Sequence, residues 1–256
     1  MLPTLFISHG SPMLALEPGA SAAPLKRLAD ELPRPKAILV VSAHWETPDL
    51  RVTASPRPET WHDFYGFPRA LYEVQYPAPG APERAQRVVE LLASRQIPAS
   101  LDAERPLDHG AWVPLSLMYP AADIPVLQLS LPSRLGPRLQ DQIGKALRQL
   151  REEGFLLIGS GSITHNLGEL DWHAGPDVVE PWAQAFRDWI VEKLASDDEA
   201  ALFDYRQQAP SAARNHPSEE HLLPLYFARG AGGPAMRVEH AGFTLGALGM
   251  DIYRFG

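Results

Sequence analysis

Three histidines share one kind of placement. His9 follows the apolar run Leu5-Phe6-Ile7 through Ser8, His44 follows the run Ala37–Val41 through Ser42 and Ala43, and His165 follows Phe155–Ile158 through the loop Gly159–Thr164. A short unbroken apolar run rich in β-branched residues reads as a strand buried on both faces, as in parallel sheets. In open α/β sheets, ligands bind beyond the carboxyl ends of such strands. Imidazole binds metals in its neutral form and titrates near neutrality, so three of them at one edge imply a metal or acid–base site. Each ring alone could equally be a buried donor to a backbone carbonyl; the shared placement argues otherwise. Gly10 beside His9 and Gly161 near His165 leave room for close approach to a bound group.

Three further histidines have chemistry around them. His221 lies in Pro217-Ser218-Glu219-Glu220-His221. With Ser218 as N-cap it falls in the first turn of a helix, whose positive end keeps imidazole neutral. Pro224 opposes this unless the helix starts there. Glu219 and Glu220 read as surface acids complementing the helix dipole. His109, in Asp108-His109-Gly110-Ala111-Trp112, sits in a loop where Asp108 could orient it. His62, in Trp61-His62-Asp63-Phe64, lies among aromatics that suit the wall of a pocket for a planar ring. His173, His216 and His240 carry no such surroundings. Gly159-Ser160-Gly161-Ser162 fits neither dinucleotide nor P-loop spacing, and no G-x-S-x-G elbow occurs.

The elements that must hold these residues alternate. Strands are expected at 3–8, 37–45, 51–55, 124–131, 155–160, 236–241 and 245–253. Helices are expected at 21–32, 83–93, 111–119, 135–153, 179–194, 199–205 and 219–229, with Gly154 closing the fourth. The expected fold class is α/β: a single domain, residues 1–256, whose central mostly parallel or mixed sheet is flanked by helices, with the metal site at the strand carboxyl ends.

Composition narrows the chemistry. With no cysteine among 256 residues there is no thiolate zinc site, thiol nucleophile or disulfide, so a metal must take imidazole and oxygen ligands. A net charge of -8 argues against nucleic acid as a partner. No apolar run approaches the ~18 residues that span a bilayer. The start of the chain lacks a basic n-region, so no signal peptide and a cytoplasmic location are expected.

Taken in order, seven segments resemble the DOPA-type extradiol ring-cleavage dioxygenases, in the class III, protocatechuate 4,5-dioxygenase-like superfamily. They are Ser8–Pro12, Val40–Trp45, His62–Pro68, Tyr76–Gly80, Asp108–Gly110, Ser160-Gly161 through His165-Asn166, and Glu220-His221 through Pro224. The resemblance implies a mononuclear metal held by His9, His44 and His221. His165 would be the acid–base catalyst or a fourth ligand. His109 would act catalytically or contact the substrate, with His62, Phe64 and Trp112 binding it. Protocatechuate-type relatives complete the triad with a glutamate where this chain has His221, and Leu222 stands where relatives often carry an aromatic.

The implied reaction inserts O2 into a catechol such as DOPA, through chelation to Fe(II) and histidine acid–base catalysis. Zn(II) competes for such nitrogen sites but is redox-inert. The expected partners are a small-molecule catechol and O2, with no nucleic acid or membrane, in a monomer or homodimer. The rival readings are a zinc-dependent hydrolase using the same ligands and a non-catalytic binding protein of the same fold.

Overall fold

The computed structural model describes residues 1–175 and 177–256. Its strands are β1 (Thr4–Ser8), β2 (Ala37–Glu46), β3 (Leu50–Thr53), β4 (Ala99–Asp102), β5 (Val126–Leu131), β6 (Phe155–Gly161), β7 (Met236–His240), β8 (Phe243–Thr244), β9 (Leu248–Gly249) and β10 (Ile252–Phe255). Its helices are α1 (Ala22–Glu31), α2 (Arg69–Tyr72), α3 (Pro82–Ala93), α4 (His109–Met118), α5 (Gly136–Leu147), α6 (Pro181–Ala195), α7 (Glu199–Phe203), α8 (Tyr205–Gln208), α9 (Ala212–Asn215) and α10 (Leu223–Gly232). No helix among the described residues is long and apolar enough to cross a membrane.

One eight-stranded sheet runs in the order β4-β3-β5-β2-β6-β1-β10-β7. Its centre, β5-β2-β6-β1, is parallel. On one side β3 pairs antiparallel with β5; on the other, β10 pairs antiparallel with β1 and β7. The fold is thus α/β with a mixed sheet, as the alternation of elements implied.

Alternation along the central strands builds two cores. Leu39 and Val41 join Leu127, Leu129 and Leu157 under α3, α5, α6 and α10. Ile38 and Val40 join Leu5, Ile7, Leu156 and Ile158 under α1 and α4. Both faces being covered, these strands carry apolar side chains at nearly every position.

Three boundaries differ most from the sequence reading, and His109, expected in a loop, is the first residue of α4. The helix expected at 135–153 ends at Leu147 and continues as a tighter 3-10 turn, Arg148–Arg151; Gly154, at φ 93°, then turns the chain. The strand expected at 245–253 is broken: Leu245 and Gly246 take positive φ, 52° and 75°, and close the β8–β9 hairpin before β10 begins. The helix expected from Glu219 starts at Leu223, with Pro224 in its first turn, where a missing N–H costs no hydrogen bond. His221 therefore lies in the turn that precedes α10 rather than inside it.

Candidate metal centre

β1 delivers His9 one residue past its last pairing, and β2 carries His44 near its carboxyl end. His221 arrives from the other side, in the turn ahead of α10. That turn lies against β6 because β6 has glycines where it must come close. A Cβ on Gly161 would sit 2.0 Å from the His221 carbonyl oxygen, and that carbonyl accepts from the Ser162 N–H at 2.8 Å. The room expected beside Gly161 for a bound group is filled by the protein's own turn. Gly10, at φ 62°, does face the cavity and packs against Met250.

One ligand nitrogen from each of His9, His44 and His221 lies within 4.8 Å of the others. The Nε2 atoms of His9 and His44 are 2.9 Å apart, a separation at which two ring nitrogens share a proton or a cation. The other edges of two rings are already committed. Ser160 Oγ donates to the Gly110 carbonyl at 2.5 Å, so at 2.9 Å from His9 Nδ1 it can only accept. That fixes the His9 proton on Nδ1 and leaves Nε2 a lone pair. The Gly110 carbonyl is free because Pro114, inside α4, has no N–H to offer it. His221 Nδ1 donates to Glu220 Oε1 at 2.9 Å, which leaves its buried Nε2 without any hydrogen-bond partner.

Burial, together with the neighbouring imidazoles, lowers the basicity of His9 and His221 well below the ordinary value. His44 is pushed down to about 3, chiefly by burial and then by His109. Buried neutral rings with converging lone pairs, their other nitrogens held by a hydroxyl or a carboxylate, are what a divalent cation requires. The residues present therefore fit a bound metal.

His165 belongs to a different set, with Glu220 and His221; its ring stacks on His221 at a centroid distance of 3.5 Å. Burial lowers its pKa to about 4. His109 Nδ1 donates to Asp63 Oδ1 at 2.9 Å, and the same oxygen accepts from the His109 backbone N–H. Burial acts to raise the Asp63 pKa, but the hydrogen bonds from the His109 ring and backbone N–H outweigh it and hold the carboxyl below its usual range.

Asp63, rather than the adjacent Asp108, thus orients His109. Asp108 points inward, accepting from Ser42 Oγ at 2.7 Å, Gln128 Nε2 at 2.8 Å and Arg105 at 3.1 Å. Arg105 also donates to the His44 carbonyl at 3.0 Å, so this network braces the end of β2.

A cavity of about 270 Å³ opens over the four histidines His9, His44, His165 and His221, with His109 and Phe64 in its wall. His62 and Trp112, expected to contact substrate, stand behind Phe64 instead. His62 Nε2 donates to the Val74 carbonyl, and Trp112 Nε1 to the Trp61 carbonyl. Their rings lie 5.7 and 6.4 Å from that of Phe64. Sequence reasoning missed Asp63, Ser160 and the role of Glu220; the only local signal was Glu220 directly preceding His221.

Known proteins resemble the chain along its whole length. Residues 3–256 match the family described as the catalytic LigB subunit of aromatic ring-opening dioxygenase. The chain is 43% identical to the 4,5-DOPA dioxygenase extradiol of Escherichia coli K12, over 100% of this chain and 95% of the relative. It is 42% identical to the protein of the same name from Beta vulgaris, over 98% of this chain and 96% of the relative. A crystal structure of an uncharacterized Escherichia coli K12 protein superposes with a TM-score of 0.84 at 37% identity, covering 100% of both chains. With residues 3–256 matched and these two relatives more than 40% identical along nearly the whole chain, the chain belongs to the LigB family of catalytic aromatic ring-opening dioxygenase subunits.

Proposed function

We propose that residues 1–256 form one catalytic domain that opens catechols next to the diol, with His9, His44 and His221 holding Fe(II). The observation that carries this reading is the convergence of ring nitrogens from β1, β2 and the turn before α10 on one point. Two of those rings have their other nitrogen committed elsewhere. Bound there, Fe(II) supplies the redox link between a chelated diol and O2, which Zn(II) lacks.

The remaining work falls to the chain. His165, neutral because it is buried, accepts a proton from a diol hydroxyl and returns it as the ring opens. His109, its Nδ1 proton held by Asp63, presents Nε2 as an acceptor toward the diol. Phe64 stacks across the ring from one wall, and His62 and Trp112 keep Phe64 in place. Relatives named 4,5-DOPA dioxygenase extradiol support a catechol as the substrate class. A cytoplasmic location and a small-molecule substrate complete the proposal.

The test is anaerobic loading with Fe(II), then addition of a catechol and O2. A yellow ring-opened semialdehyde, with one O2 consumed per catechol, is expected from the iron form and not from the zinc form. Hydrolysis of an amide or lactone by the zinc form alone would replace this reading.

A further inference from the structure

The floor of the cavity is imidazole, but its outer wall is different in kind. Leu167, Leu170 and Trp172 enter from the loop after His165, and Leu245 and Leu248 from the β8–β9 hairpin. Phe64 and Phe67 face them. Among the described residues lining the cavity there is no Lys, Arg, Asp or Glu. Arg214, whose carbonyl accepts from Asn166 at the start of the same loop, has its guanidinium bonded to Glu169 at 2.8 and 2.9 Å and stacked 4.3 Å over Trp182.

This wall is built rather than incidental. The Asp171 N–H donates to the Leu245 carbonyl at 3.0 Å, and the Glu180 N–H to the Gly246 carbonyl at 2.8 Å, tying the two loops together. Leu245 holds a left-handed backbone, φ 52°, which a leucine rarely adopts without compensation. Leu167 and Trp172 remain 60% and 67% exposed at the mouth, large apolar surface beside a reactive site.

An ammonium or carboxylate brought against this wall loses water and finds no charged partner. An apolar substituent covers the exposed leucine and tryptophan surface and gains from it. We infer that, among catechols, this site selects those carrying an uncharged apolar ring substituent over zwitterionic amino-acid catechols, with Leu170, Trp172 and Leu245 as the selecting residues. The inference rests on the catechol reading of the metal centre. A cavity of about 270 Å³ suits one ring with a short substituent, at the small end of ligand sites.

The experiment measures dissociation constants of 4-propylcatechol and L-DOPA for the zinc-loaded protein by calorimetry, where no turnover interferes. It adds kcat/KM for both with the iron form. The propyl compound is expected to bind about tenfold more tightly, with kcat/KM in the same order. Leu170→Arg should supply a carboxylate partner and narrow the ratio through KM, with metal content unchanged. L-DOPA binding as tightly as 4-propylcatechol, or more so, overturns the inference while ring opening still upholds the catechol reading. Binding in the expected order without ring opening by the iron form upholds the pocket assignment and overturns the dioxygenase reading. Binding of neither compound overturns both.

Discussion

The Ser160 hydroxyl has one proton, and the Gly110 carbonyl takes it, so the ring of His9 has no choice of tautomer. Ser160→Ala removes that constraint without touching a ligand atom. Metal affinity should fall by about 10- to 100-fold, the usual effect of losing a partner behind a ligating histidine. Ser160→Thr, which keeps the hydroxyl, should retain most of it; competition with a chromophoric chelator reads both. A second contrast separates ligand from acid–base residue. His44→Ala should lose metal, because its Nε2 lies at the convergence point, 2.9 Å from that of His9. His165→Ala should keep metal and lose turnover, since its ring stacks on His221 rather than joining the three-nitrogen set. Metal analysis beside oxygen uptake distinguishes them, and equal metal loss in both variants would make His165 a ligand.

At the scale of elements, the centre depends on how closely the turn before α10 lies on β6. Gly159 and Gly161 permit it: a Cβ at either would stand 2.0 Å from the carbonyl oxygen of Pro224 or His221. Gly161→Ala should destabilise the protein by about 3 kcal/mol, as overpacking of a filled site does. It should also weaken metal binding in whatever fraction folds, because His221 is displaced with its turn. The urea midpoint and the metal stoichiometry of the refolded protein check this; unchanged stoichiometry would mean the turn is held from α10 instead. The strands behind the site were legible because both faces of β1, β2 and β6 are covered, leaving an unbroken apolar run that ends in polar residues. What was illegible is direction. Asp108 is adjacent to His109 but turns inward to Ser42 and Gln128, whereas Asp63, 46 residues away, makes the bond. Glu220 looked like a surface acid because a linear pattern cannot report that its carboxylate folds back onto the next ring. Leu245 looked like strand because its left-handed backbone leaves no mark on hydrophobic periodicity.

For the molecule as a whole, the consequence is a stability that depends on pH and metal together. Burial lowers the basicity of His9, His44, His165, His216 and His221, so the folded chain resists protons that the unfolded chain accepts. His216 shows the cause most directly. Its Nε2 donates to the Ile163 carbonyl at 2.9 Å, and its buried Nδ1 has no partner, so a second proton there would have nothing to bond. Burial takes its pKa to about 4. Above the unfolded value of about 6.5 both states are neutral and the full stability is present. As pH falls from there toward 4, only the unfolded chain gains the proton, and stability is lost. For His216 alone the loss at pH 5 is about 2 kcal/mol, from the 1.36 kcal/mol carried by each pKa unit. Metal-free protein should therefore unfold at lower urea at pH 5 than at pH 7.5, with an unchanged dependence on denaturant. Added metal should raise the pH 7.5 curve and do progressively less toward pH 5, because protons compete for the same lone pairs. His216→Gln, which keeps a donor for Ile163 and removes the titration, should flatten the metal-free profile by about that 2 kcal/mol. A metal-free protein equally stable at both pH values would contradict the burial of neutral imidazoles on which the centre relies.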